Sequence, residues 1–142
     1  MKRAMAAAAM ALAAQAACGA EYRAVGDKPA ILYDAPSLKA DRLFVATRNY
    51  PFEVLVKLDQ WTKVRDANGE VAWVENKAFG ERRMVLVNVP LADVRAAPNL
   101  QAPLVFEAYR QVLLEALDAP ADGWLKVANS CRFRRQCAAQ AR

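Results

Sequence analysis

Four aromatic side chains carry the clearest chemical potential in this sequence: Tyr33, Tyr50, Trp61 and Trp73. Aromatic rings gathered on a β-sheet surface can line a shallow groove that grips an extended peptide through stacking and proline contacts. The same residues can also fill a core. Their concentration within one half of the chain makes them the candidate binding residues. The second half keeps one tryptophan, Trp124, and has Arg95 and Val112 at the positions that correspond to Tyr33 and Tyr50. If a groove exists, the first half owns it.

Other chemistry is thinly provided. The chain has no histidine. That removes Ser-His-Asp and Cys-His nucleophile arrangements and every His-ligated metal site. The five glycines form no G-x-G cluster that could cradle a phosphate. Cys131 and Cys137 are six residues apart, which is neither a C-x-x-C redox pair nor a metal pair. In an oxidising compartment they could be joined as a disulfide. Asp34, Glu53, Asp59, Asp66, Glu70 and Asp93 are scattered, and nothing in their spacing brings two carboxylates into one cleft. The expectation is a protein without catalytic residues, metal or cofactor.

The elements that must position the aromatics begin after residue 20. Met1-Lys2-Arg3 is a short basic start, residues 4–17 are uncharged and alanine-rich, and Cys18-Gly19-Ala20 are small. This is the pattern of a secretory signal peptide, with cleavage expected after Ala20. The run is short and weakly apolar for a membrane span. Cleavage before Cys18, with lipid on that cysteine, is the alternative, although Gln15 stands where that route wants an apolar residue. Without residues 1–20, and without the arginines of residues 129–142, the body at 21–128 holds 14 basic and 15 acidic side chains. The basic charge of the chain therefore lies at its ends, and the body offers no basic face for nucleic acid. An exported chain would act in the periplasm or beyond the cell.

The body repeats itself at an offset of 62. Residues 35–55 laid over 97–117 give nine identities in 21 positions, among them Pro36/Pro98, Phe44/Phe106, Arg48/Arg110 and Glu53/Glu115. Chance would give roughly one or two. After one inserted residue, Trp61-Thr62-Lys63-Val64 lies over Trp124-Leu125-Lys126-Val127. Each copy reads as β. Phe52 to Lys57 alternates apolar and polar residues, and Trp61 to Arg65 and Glu70 to Val74 are short strands around Asp66-Ala67-Asn68-Gly69. Asn68-Gly69 can supply the positive φ of a tight hairpin. Val85 to Val89 is a further strand, and Pro36, Pro51, Pro90, Pro98, Pro103 and Pro120 punctuate loops.

These units resemble bacterial SH3 domains. Ala92-Asp93-Val94-Arg95-Ala96-Ala97-Pro98-Asn99 is similar to the family's opening motif, and Ile31 to Ser37 is a looser version. Trp61-x-Lys63-Val64 and Trp124-x-Lys126-Val127 resemble its Trp-x-Lys-Val strand. Asn68 to Val74 looks like its closing hairpin, with Ala72 where glycine is usual. The resemblance covers about residues 24–80 and 85–127. It implies an all-β chain: two tandem, partly open five-stranded barrels at 21–82 and 83–128. It also implies a non-catalytic exported module that engages a protein segment or peptidoglycan, with no nucleic acid and no membrane unless Cys18 is lipidated. The alternative is an envelope structural factor without a small ligand. The second copy departs from the pattern after Val127. Residues 129–142 contain no turn glycine and no closing aromatic-Val strand. They read as an out-of-frame or divergent tail, or as a real extension packed on the barrels. The expectation is an incomplete second barrel and a tail that is poorly ordered or weakly helical.

Overall fold

The computed structural model describes residues 20–128 and 136–140. The expected signal peptide and Cys131 lie outside the described residues. Twelve strands account for about half of the described residues. The first six are β1 (Tyr22–Ala24), β2 (Ala30–Tyr33), β3 (Arg42–Ala46), β4 (Pro51–Lys57), β5 (Trp61–Arg65) and β6 (Val71–Glu75). A single 3-10 turn, Asn76–Ala78, follows. The next six are β7 (Met84–Leu86), β8 (Leu91–Arg95), β9 (Leu104–Tyr109), β10 (Leu113–Ala116), β11 (Trp124–Ala128) and β12 (Gln136–Gln140). Every named pairing is antiparallel.

Two sheets result. The first runs β1-β4-β5-β6-β2-β3 and the second β7-β10-β11-β12-β8-β9, which is the same order shifted by six strands. Finer features recur at the offset of 62 as well. Val25 N–H donates to the Tyr50 carbonyl at 2.9 Å, and Val87 N–H donates to that of Val112 at 3.0 Å. Asn49 and Gln111 both sit at positive φ, 64° and 69°. Register shifts fall between Leu32 and Tyr33 and between Val94 and Arg95. Such bulges bend a strand and sharpen its twist, which lets one sheet curl over its own core.

Each sheet encloses one cluster. In the first, Leu32 from β2, Ala46 from β3, Phe52 from β4, Val64 from β5 and Ala72 and Val74 from β6 are all buried together. Phe44, Tyr50, Ala78 and Phe79 pack on that cluster. The second cluster holds Val87, Val94, Ala108, Leu114, Ala116, Leu125 and Val127, with Phe106 against it. Alternation explains the selection: in Trp61-Thr62-Lys63-Val64 the even positions are buried and the odd ones half-buried. Each fully buried Phe, Leu or Val contributes about 1.5–3 kcal/mol through loss of water contact.

Local chemistry fixes the connections. In the β5–β6 turn, Asp66 Oδ1 accepts from the N–H groups of Asn68 and Glu70, each at 2.8 Å. Positive φ falls on Gly69 alone, at 90°. Past the 3-10 turn the chain recrosses its own start. Gly26 N–H donates to the Ala78 carbonyl and Gly80 N–H to that of Ala24. A Cβ on Gly80 would lie 2.9 Å from the Gly26 Cα, so side chains are excluded at this crossing.

Asn76 is the polar fastener of the first unit. Its Nδ2 donates to the carbonyls of Leu58 and Asp59, at 3.0 and 2.9 Å. Its Oδ1 accepts from the Thr62 hydroxyl at 2.6 Å, and Thr62 is 1% exposed. Asn76→Ala is expected to lower stability by about 2–3 kcal/mol, because a buried hydroxyl left without a partner costs more than a bond is worth. Adding Thr62→Val should recover part of the loss, since the stranded hydroxyl goes with it. Urea melts of the single and double variants check this; an unchanged or larger loss in the double variant refutes it.

The second sheet corrects the expectation of an incomplete barrel. Gln136–Gln140 is a strand, and it occupies the interior of the sheet. It pairs with β11 through Trp124↔Gln140 to Ala128↔Gln136, and with β8 through Ala138↔Arg95 and Ala139↔Val94. Gln, Cys and Ala are not strand formers, and no turn glycine announces this segment. Two waiting ladders override that weak local preference. Residues 83–128 therefore do not make up the whole second unit, and part of the tail at 129–142 completes it.

Candidate functional site

The candidate residues are sorted by the two faces of the first sheet. Thr62, Val64, Ala72 and Val74 point into the core, so Trp61 and Lys63 on β5 and Trp73 and Glu75 on β6 stand on the opposite, outer face. Tyr33 joins them. Its backbone partner is Trp73, and directly opposed residues share a face. Ordinary alternation along β2 puts Leu32 in the core and Tyr33, 4% exposed, on the opposite side under the outer aromatics, while the extra residue of the register shift, Leu43, lies on β3. The Tyr33 and Trp61 rings meet edge to face, with centroids 5.3 Å apart and planes at 88°. That geometry is the favoured one for aromatic quadrupoles.

Trp73 is flanked on its other side by Lys63, its backbone partner on β5. The Lys63 Nζ lies 5.8 Å from the centre of the indole ring, at the outer reach of a cation–π contact. Glu75, opposite Trp61, is drawn away by Lys77 at 2.6 Å. The result is a compact patch, rimmed by charge and separate from the core cluster: Trp61 and Trp73 are half-buried in it and Tyr33 lies buried beneath.

Tyr50 is not brought to this face. It packs against the core cluster, its ring tilted on Phe52 at 5.0 Å, and its hydroxyl accepts from the Ala67 N–H at 3.4 Å. Its position just before β4, at the left-handed Asn49 turn, sends it inward. Sequence reasoning also passed over Lys63. The signal was present: Lys63 is two residues from Trp61 on a strand, hence on the same face.

In the second unit the same positions are differently filled. Register places Arg95 where the first unit has Tyr33, Trp124 where it has Trp61, and Ala138 where it has Trp73. Arg95 donates to the Ala102 carbonyl at 3.0 Å and pairs with Asp93 at 2.6 Å. One aromatic of three remains. Among the described residues, no group of three or more His, Cys, Asp or Glu side chains is placed to hold a metal ion.

Comparison with known proteins agrees with this geometry in its first half. Residues 26–79 match the bacterial SH3 domain family. This stretch runs from the β1–β2 connection through the 3-10 turn and contains every aromatic of the patch, so the patch lies within the part of the chain that is similar to that family. Two solved structures are similar to the chain, NlpC2 and NlpC1 from Trichomonas vaginalis, each at 14% identity. Their TM-scores are 0.38 and 0.37, and 84% of this chain aligns with each. The chain spans less than half of either, 45% and 43%. No curated protein matches the chain.

Proposed function

We propose that this chain is an exported, non-catalytic binding module of the bacterial envelope, and that the half-buried Trp61 and Trp73, backed by the buried Tyr33, form the outer face that grips its partner. The observation that carries the reading is the separation of the two aromatic sets. Phe44, Tyr50 and Phe52 serve the core, which leaves the Tyr33–Trp61–Trp73 patch without a role in closing it. A bacterial SH3-like domain with a surface aromatic patch suits an extended protein segment or a peptidoglycan strand. The second unit, with the same strand order, is read as a second SH3-like domain that has lost the patch and acts as scaffold.

The test uses the mature chain beside Trp73→Ala. Co-sedimentation with isolated peptidoglycan, or retention of a defined periplasmic protein, should occur with the first and fail with the second. Capture that ignores Trp73 overturns the site; no capture by either favours an envelope structural factor. Export has its own check. The intact mass of the protein recovered from the periplasm should begin at Glu21. A diacylglycerol on Cys18 would show the lipoprotein route, and an unprocessed cytoplasmic chain would remove both.

A further inference from the structure

The outer face carries a row of neighbours that the sequence does not display. Lys63 on β5 is the backbone partner of Trp73 on β6, Trp73 of Tyr33 on β2, and Tyr33 of Arg42 on β3. Four adjacent strands thus place cation, indole, phenol and cation in one line across the sheet, with the phenol of Tyr33 buried, 4% exposed, beneath the face. Neither Lys63 nor Arg42 has an ion-pair partner among the described residues. Of the nearby acids, Glu75, Glu53 and Asp34 are engaged and, among the described residues, the Asp41 carboxylate is not. Glu75 is held by Lys77 at 2.6 Å and Glu53 by Arg65 at 3.2 Å. Asp34 Oδ1 accepts the Asp41 N–H at 3.0 Å.

The geometry points to an extended protein segment bearing two acidic side chains as the ligand of this face, with Lys63 and Arg42 taking the two carboxylates and the half-buried tryptophans, Trp73 above all, taking the residues between. This inference rests on reading the face as a binding site, and it adds the partner's chemistry. Three strand spacings of about 4.8 Å separate the cations, roughly 14 Å. An extended or polyproline chain advances about 3.1–3.4 Å per residue, so acids four positions apart reach both ends. Asp41 precedes Arg42 in the chain and lies at that end, which makes Lys63 the stronger anchor.

The second unit provides an internal contrast. Its corresponding row is Lys126, Ala138, Arg95 and Leu104. There Lys126 lies 3.5 Å from Asp118 and Arg95 is 2.6 Å from Asp93. One end is apolar and both cations already face carboxylates. The unpaired, two-ended arrangement belongs to the unit that keeps its aromatics.

The experiment titrates the full mature chain with three capped peptides, Glu-Pro-Pro-Pro-Glu and the same sequence with Gln or Lys at both ends, by calorimetry at low salt. The Glu peptide should bind about tenfold tighter than the Gln peptide, since a half-exposed ion pair is worth about threefold and there are two. The Lys peptide should bind least, and the Glu preference should shrink at high salt. Lys63→Glu should abolish the preference, Arg42→Glu should reduce it, and Lys63→Gln guards against a folding defect in the charge reversal. Equal affinity for the Glu and Gln peptides would overturn the acidic partner while leaving the aromatic face as a site. A Glu preference unchanged in Lys63→Glu and Arg42→Glu would overturn it by placing the attraction elsewhere. Trp73-dependent binding of an N-acetylglucosamine oligomer with no peptide binding would replace it with a glycan ligand. Failure of peptides and oligomer alike would overturn the binding face itself.

Discussion

A chain ending at Ala128 is expected to lose the whole second unit and keep the first. Gln136–Gln140 lies between β11 and β8 in the second sheet. Removing it splits that sheet into β7-β10-β11 and β8-β9, with no ladder between the parts. Val94, Leu114, Leu125 and Val127, all at most 9% exposed, would lose the wall that joins them. A unit of this size has a total stability of only about 3–8 kcal/mol. The lost backbone pairs, at about 1 kcal/mol each, and the opened core together exceed that. The first sheet contains no residue of the tail and should be untouched. Hydrogen exchange is the direct measurement. In the full chain, amides within 136–140 should exchange slowly; in the truncated chain, protection should vanish across 84–128 and persist across 30–75. Persistent protection across 84–128 would show that β12 is an accessory strand. Unpaired edges at β11 and β8 should also make the truncated chain prone to association.

That strand marks the boundary of what the sequence could reveal. The first unit was legible because several levels agree within it. Val71–Glu75 contains β-branched and aromatic residues, follows a turn with Asp66 and Gly69, and alternates in step with Trp61–Arg65. Gln136–Gln140 has none of these signs. Its conformation comes from the gap it fills, which is a property of β8 and β11 rather than of its own residues. The same distinction applies to the site. Trp61 and Trp73 could be placed on the outer face from alternation alone. Tyr33 and Tyr50 could not be told apart, because neither sits in a clean alternating run. Tyr33 faces outward because it follows the inward Leu32 on β2, in a run whose four residues are all apolar and so hide the alternation, while the left-handed Asn49 turn turns Tyr50 inward. Arg42 was hidden for a different reason: a register shift that skips Leu43 on β3 pairs it with Tyr33, and register shifts leave no mark in composition. The six-strand sheets also exceed the five strands expected per barrel: Tyr22–Ala24 is too short to announce itself, and its counterpart Met84–Leu86, legible only as the start of the Val85–Val89 run, could not be assigned to a sheet without it.

Phe52→Ala and Trp73→Ala should separate packing from binding. Both delete a large aromatic from a strand of the first sheet, and burial decides their different outcomes. Phe52 is 1% exposed in the centre of the core, and its truncation should cost about 3–5 kcal/mol, the transfer free energy plus the cavity left behind. That is comparable with the stability of the unit, so thermal melting should show its cooperative transition lost or displaced well below that of the wild-type chain. Trp73 lies on the other side of the sheet, where its removal opens no core cavity. Its truncation uncovers Tyr33 and forfeits the Lys63 contact, for about 1–2 kcal/mol. The unit should remain folded. Binding should respond in the opposite order. An interface tryptophan of this kind typically contributes 2 kcal/mol or more, so Trp73→Ala should weaken partner affinity by about 30-fold or more. Phe52→Ala, at a temperature where it is still folded, should bind nearly as the wild type does. A Trp73→Ala melt as severe as that of Phe52→Ala would mean that the outer aromatics are a second core, needed to hold β2 against β6. The patch would then be a structural element of the fold, and the ligand would have to be sought on another surface.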